Sequence, residues 1–139
     1  MKIIGNIVIY IVIVLGLIFG LPKFLSWALD TPYPMAAITS GSMWPALKKG
    51  DLVLIEGVEK NELKTGDIIV FENKERKNFT IHRVVDLSED KIVTKGDANF
   101  NEDTPIRYED VVGRAIKIGS REFRIPYLGL VTVYASELR

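Results

Sequence analysis

Gly66-Asp67-Ile68-Ile69-Val70-Phe71 decides how the body of this chain is read. A glycine and an aspartate of turn chemistry run directly into four residues that favour extended backbone, which marks a tight reversal feeding a strand. Lys49-Gly50-Asp51-Leu52-Val53-Leu54-Ile55 shows the same pattern upstream. Further runs rich in valine and isoleucine occupy 79–87, 92–94 and 111–118, separated by a charged hairpin tip at 73–78 and a reversal at 88–91. No long helical periodicity follows Asp30, so the expected fold is mainly β, an antiparallel barrel or coiled sheet. In it 111–118 is a late strand, and Ile125-Pro126-Tyr127-Leu128-Gly129 turns into a short C-terminal tail. The two glycine-aspartate units are recurring turn chemistry and not a repeat architecture.

The N-terminus follows a different rule. Residues 3–21 are apolar except for Gly5, Asn6, Tyr10, Gly16 and Gly20. About 19 residues at about 1.5 Å rise cover roughly the 30 Å hydrocarbon core of a bilayer. A cleaved signal peptide has a shorter apolar stretch and a more basic start, although Ser26-Trp27-Ala28 mimics a cleavage site. A retained transmembrane anchor over residues 1–29 is therefore expected, leaving 30–139 for a single folded domain. Pro22 is expected to end the helix, with Phe24, Leu25, Trp27 and Leu29 at the membrane interface. Lys2 and Lys23 flank the run on opposite sides, so charge hardly discriminates its orientation.

Composition narrows the chemistry. The 139 residues carry 18 basic and 18 acidic side chains, and no basic run is interleaved with aromatics, so a nucleic-acid partner is not expected. Cysteine is absent, which removes disulfides, thiolate metal sites and cysteine nucleophiles together. With one histidine, a zinc site would have to rest on carboxylates, and neither metal nor cofactor is expected.

Ser40-Gly41-Ser42-Met43-Trp44-Pro45 places two hydroxyls one residue apart beside a glycine that permits close approach or a strained dihedral. The single histidine lies in Thr80-Ile81-His82-Arg83-Val84-Val85, and an acidic loop, Gly96-Asp97-Ala98-Asn99-Phe100-Asn101-Glu102-Asp103, follows it. A serine hydroxyl is a poor nucleophile until a base takes its proton, and imidazole, titrating near neutrality, is suited to that task. Lys48, Lys49, Lys64, Lys74 and Lys77 are alternative bases in principle. Each motif alone also has a bland reading: a serine-glycine turn, a structural strand histidine, a turn-capping Asp97.

Together these motifs resemble signal peptidase I, specifically the endoplasmic-reticulum and archaeal type that also occurs in some Gram-positive bacteria. The resemblance runs from the apolar N-terminus to about Gly129 and rests on the S-G-S-M-x-P box, the two G-D strand starts, the His82-Arg83 pair and the G-D-x-N…D loop. It implies a membrane-anchored serine endopeptidase that removes signal peptides from secreted preproteins, cleaving after small residues at the −1 and −3 positions. The bacterial type has lysine where His82 stands, so the histidine implies a Ser/His/Asp mechanism. The resemblance assigns Ser42 as nucleophile, His82 as base, and Ser40 with the Ser42 N–H as the oxyanion hole. Its loop spacing, six residues beyond the G-D aspartate, makes Asp103 the third member, with Asp97 the rival and Arg83 a supporting residue. Ala98 departs from the commoner G-D-N-N.

Other expectations follow from the family. The catalytic domain lies outside the cytoplasm, in the cell membrane or, in a eukaryote, the endoplasmic-reticulum membrane, and signal peptides, lipid and other peptidase or translocon subunits are the partners. Members often carry a second apolar helix; with Arg139 as the last residue, the chain is either single-pass or a shortened form. Trp44 stands where polar residues or methionine are commoner, either dipping into the interface or capping the core. Ile38 and Met43 are plausible lining for small-residue pockets. Two other readings are a catalytically inactive anchored interaction domain and a self-cleaving repressor-type peptidase, although the latter's Ser/Lys chemistry and DNA-binding partner domain have no counterpart in the sequence.

Overall fold

A computed structural model of the chain describes residues 2–74 and 77–137. Helix α1 (Lys2–Leu15), a π-helical segment Gly16–Gly20 and α2 (Leu21–Ala28) form one continuous apolar rod. Its stretch Ile3–Ala28 has a mean hydropathy of 2.7 over its most apolar window, none of which is buried against the rest of the protein. At about 1.5 Å per residue it is about 39 Å long, enough to cross a membrane. Pro22 does not end this helix, contrary to expectation. It sits in the first turn of α2, where a missing N–H costs little, and the π-helical segment before it shifts the hydrogen-bond register. The rod meets the body through Leu29, whose carbonyl accepts the Gly57 N–H at 2.7 Å. Phe24 and Trp27 are exposed there, whereas Leu25 and Leu29 are half-buried.

The body is a coiled antiparallel sheet. Its strands are β1 (Met35–Ala37), β2 (Leu52–Glu56), β3 (Ile68–Asn73), β4 (Asn78–Leu87), β5 (Ile92–Lys95), β6 (Val111–Ala115), β7 (Lys117–Ile118), β8 (Arg121–Glu122) and β9 (Arg124–Ile125). The main path runs β1-β2-β6-β3-β4-β5, with β9 also on β2, and β7-β8 forms a separate hairpin. Among the described residues the path is open, so the coiled sheet, and not the closed barrel, is the form found. β2 pairs with β1 along Leu52–Leu54, with β9 at Leu52 and Val53, and with β6 at Ile55 and Glu56.

The apolar run Ile68-Ile69-Val70-Phe71 is buried on both faces of β3. Ile68 and Val70 join Ile38, Met43, Leu47, Val53, Ile55 and Ala115 in one cluster, while Ile69 and Phe71 join Leu63, Val84 and Ile92 in the other. Successive side chains point to opposite faces, so one strand knits the two halves of the core together. Gly113 lies opposite Val70 beside a bulge, and a Cβ there would collide with the Glu56 carbonyl and Ile55.

Two expected elements differ. The stretch 111–118 is not one strand: Ile116 breaks it, its N–H going to the Leu54 carbonyl at 3.0 Å and its carbonyl accepting from Phe123 at 2.7 Å. The chain thereby leaves β3 and turns into the β7-β8 hairpin. The C-terminal tail contains a helix, α3 (Leu130–Glu137), anchored by buried Val133 and by Leu130 against Gly50. At eight residues it is too short to show a long periodicity in the sequence.

The two G-D turns are built alike. Gly50 and Gly66 have φ of +92° and +94°, the left-handed conformation that a type II turn requires at its third position. Asp51 Oδ2 accepts the Lys48 N–H at 2.9 Å, and Asp67 Oδ2 accepts the Lys64 N–H at 3.0 Å. Arg124 then reaches Asp51, and Lys117 and Arg114 reach Asp67, tying late strands to early turns. Burial opposes ionisation of Asp67, yet Lys117, the Lys64 N–H and Arg114 outweigh it and hold its carboxyl below the ordinary range. A carboxyl held low when folded lends stability above the ordinary aspartate value and loses it as pH falls through the folded value. Acidifying from about pH 7 to about pH 3 should therefore lower the melting temperature of the full chain in detergent more than that of Asp67→Asn. Equal acid sensitivity of the two would contradict this role for Asp67.

Candidate active site

Three chain segments converge at the site, each anchored for a physical reason. The serine segment lies between β1 and β2, with Ile38 bonded to both ends of the Gly50-Asp51 turn. Met43 and Leu47, 1% and 0% exposed, plug this segment into the first core cluster, and a helical turn between them is closed by the Leu47 N–H to the Met43 carbonyl at 2.9 Å. Trp44, between these plugs, is 59% exposed and so does not cap the core. Gly41 has open space around it and no positive φ, so of its two expected uses only close approach is available.

His82 lies on β4 opposite Ile69 of β3 and is 8% exposed, with its ring 6.5 Å from that of Phe71. Its Nε2 is 3.1 Å from Ser42 Oγ, and its Nδ1 is 2.5 Å from Asp103 Oδ2. The chain Ser42–His82–Asp103 is therefore continuous. Histidine, and not one of the lysines, is the side chain found within hydrogen-bond distance of the Ser42 hydroxyl among the described residues. Ser40 Oγ lies 3.2 Å from Ser42 Oγ and 3.5 Å from the Ser42 nitrogen, which puts a hydroxyl and a backbone N–H side by side.

The acidic loop supplies the third segment. Its Ala98 N–H donates to the Ser42 carbonyl at 2.8 Å, fixing the loop to the serine. Gly96 is required there, since a Cβ would stand 2.8 Å from the Ser42 carbonyl oxygen and 2.6 Å from Asn99 Nδ2. Further along, the Asp103 N–H donates to the Thr94 carbonyl at 2.8 Å, and Thr94 Oγ1 donates to Asp103 Oδ2 at 2.7 Å. Asp97 does not reach the histidine. Arg83 Nε and Nη2 donate to its two oxygens at 2.8 Å each, and Arg83 Nη1 donates to the Gly66 carbonyl and to Glu122. The hydrogen bonds that Arg83 donates to Asp97 raise the Arg83 pKa, burial opposes the rise, and Glu122 adds to it, so the guanidinium stays charged. Arg83 is thus a hub joining β4, the acidic loop, the second G-D turn and β8. Thr94 and the Ala98 amide were not legible as site groups, because a buried strand threonine and a backbone N–H carry no motif.

A cleft of about 730 Å³ opens onto Ser42 and His82. Its walls include the apolar side chains of Ala36, Ala37, Ile38, Met43 and Val70, with the Tyr33 and Phe79 rings tilted by 54° at 5.0 Å between centroids. The arrangement can take a proton from a hydroxyl, hold the resulting imidazolium against a carboxylate, and offer hydrogen bonds to a developing oxyanion.

Residues 4–116 match the family model described as signal peptidase, peptidase S26. Over 132 residues the chain is 36% identical to the signal peptidase complex catalytic subunit sec11 of Sclerotinia sclerotiorum and to SEC11 of Metarhizium acridum, covering 90% of this chain and 77% of each relative. The subunit of the same name from Pyricularia oryzae is 34% identical over 132 residues.

Replacing Gly96 by alanine should push the loop off the serine segment. Hydrogen exchange of the full chain in detergent should then show the Ala98 amide deprotected in Gly96→Ala and unchanged in Gly41→Ala. Equal protection of Ala98 in wild type and Gly96→Ala would refute the close-approach account.

Proposed function

The chain belongs to the signal peptidase family, peptidase S26, and from that premise we propose that it is a membrane-anchored serine endopeptidase removing signal peptides from secreted preproteins by a Ser/His/Asp mechanism. The observation that carries the mechanism is the unbroken Ser42–His82–Asp103 hydrogen-bond chain. A carboxylate only accepts, so His82 presents Nδ1–H to Asp103 and leaves Nε2 free to take the Ser42 proton. Ser42 Oγ attacks the carbonyl carbon of the scissile bond. The Ser42 N–H and the Ser40 hydroxyl bind the oxyanion, a donor pair of a kind in which each member is worth about 10²–10³ in rate. His82 then gives the proton to the leaving amine, the new N-terminus of the mature protein. The signal peptide remains as an ester on Ser42 until water, deprotonated by the same imidazole, releases it.

Small side chains at the −1 and −3 positions would need shallow apolar pockets, and Ile38 and Met43, which line the cleft that also holds Ser42, are the side chains we assign to line them. The reading divides the chain into an anchor over 1–29 and a peptidase domain over 30–139, the latter outside the cytoplasm. Anchoring supplies proximity: a preprotein whose apolar segment lies in the bilayer presents its cleavage site at high effective concentration to an enzyme confined to that surface. The relatives named above are subunits of a signal peptidase complex, and this chain likewise works beside other subunits, while carrying the bond-breaking groups itself.

The purified full chain in detergent should release the signal peptide from a model preprotein, an outcome an inactive interaction domain would not give. Ser42→Ala and His82→Ala should each lower kcat by about 10⁴-fold or more, and Asp103→Asn by about 10³–10⁴-fold. Asp97→Asn should be the milder carboxylate variant, because its partner is Arg83. Loss of activity in Asp97→Asn alone, with both variants folded by circular dichroism, would show that the wrong carboxylate has been assigned.

A further inference from the structure

We propose that Thr94 is a positioning residue, whose buried hydroxyl holds the Asp103 carboxylate in line with His82. The inference rests on the assignment of Asp103 as the carboxylate partner of His82 made above, and it adds a residue that neither motif nor family resemblance points to.

The geometry has three parts. Thr94, on β5, is 0% exposed, and its register partner on β4 is Val84, two residues along from His82. Paired residues share a sheet face, as do residues two apart, so Thr94 and His82 face the same side. Thr94 Oγ1 donates at 2.7 Å to Asp103 Oδ2, the same oxygen that stands 2.5 Å from His82 Nδ1. The Thr94 carbonyl accepts the Asp103 N–H at 2.8 Å. One residue therefore restrains both the backbone and the carboxylate of Asp103.

Asp103 needs that restraint. It lies outside the regular strands, and its side chain is 27% exposed, more than the 10% of the His82 side chain. A carboxylate on such a segment is free to turn about its side-chain bonds and to exchange its oxygens between imidazole and water. A hydroxyl fixed on a paired strand fills one acceptor direction of Oδ2 and leaves the direction toward Nδ1 open. Hydrogen bonds to an ionised acceptor are strong and directional, and side-chain networks out of water reinforce their members. The consequence falls on kcat, because substrate meets Ser42 and the cleft, not Thr94.

The test uses the full chain in detergent with a model preprotein and separates hydroxyl from shape. Thr94→Val keeps the branched outline and removes the donor; Thr94→Ser keeps the donor and removes the methyl. We expect Thr94→Val to lose about 10–10²-fold in kcat with KM almost unchanged, and Thr94→Ser to recover most of that loss. In an Asp103→Asn background Thr94→Val should cost little more, since the two act through one another. Wild-type kcat in a folded Thr94→Val would overturn the proposal. So would a full additional loss in the Asp103→Asn background, or equal losses in the valine and serine variants that track a fall in melting temperature. Wild-type kcat in Asp103→Asn alone would remove the underlying assignment instead.

Discussion

The hydrogen bond from the Ala98 amide to the Ser42 carbonyl, 2.8 Å long, joins the two halves of the site. Ser42 belongs to the segment after β1, plugged into one core cluster, whereas His82 and Thr94 are carried by the β4–β5 pair beside the other. Side-chain contacts alone would leave these parts free to drift by the fraction of an ångström on which proton transfer depends. The backbone bond, with Gly96 making room for it, sets the acidic loop against the serine while Thr94 and Arg83 set it against the β4–β5 pair. Local backbone geometry at 96–103 is therefore the means by which Ser42 and His82, 40 residues apart, share one frame.

Arg83 explains why two aspartates in one short loop have different partners. Neighbours on a strand point to opposite faces, so His82 and Arg83 leave β4 in opposite directions. His82 meets Asp103, and Arg83 meets Asp97 with both of its oxygens engaged. The loop crosses the end of the sheet and offers one carboxylate to each side. A bidentate pair of this kind is geometrically demanding, and because it also binds the Gly66 carbonyl and Glu122 it holds the loop to three other parts of the fold.

Much of this was readable from residues. The run Ile68-Ile69-Val70-Phe71 after a glycine-aspartate turn could hardly be anything but a strand, and the structure buries both of its faces. The lone histidine and the S-G-S box stood out in a chain without cysteine, yet each alone also fitted a bland reading, and it was their combination, through the resemblance to a family, that singled them out. The choice between Asp97 and Asp103 was different: residue type is the same, and only a family spacing separated them, since their partners depend on strand register. Pro22 misled because a proline's effect depends on the helical register before it, which sequence does not display. Ile116 looked like strand interior because its own preference is extended; the break comes from pairing with β2. Thr94 was invisible because its contact with Asp103, nine positions away, leaves no mark in the sequence.

Because the chain has a single histidine, the state of the His82 ring can be measured directly. Selective ¹⁵N-histidine labelling of the full chain in detergent gives one imidazole to observe, that of His82. In its neutral form the account predicts a single tautomer, protonated at Nδ1 toward Asp103 and bare at Nε2 toward Ser42, and predicts that Asp103→Asn disturbs this preference. A ring protonated at Nε2, or one exchanging between both tautomers in the wild type, would contradict the Asp103-oriented base on which the mechanism rests.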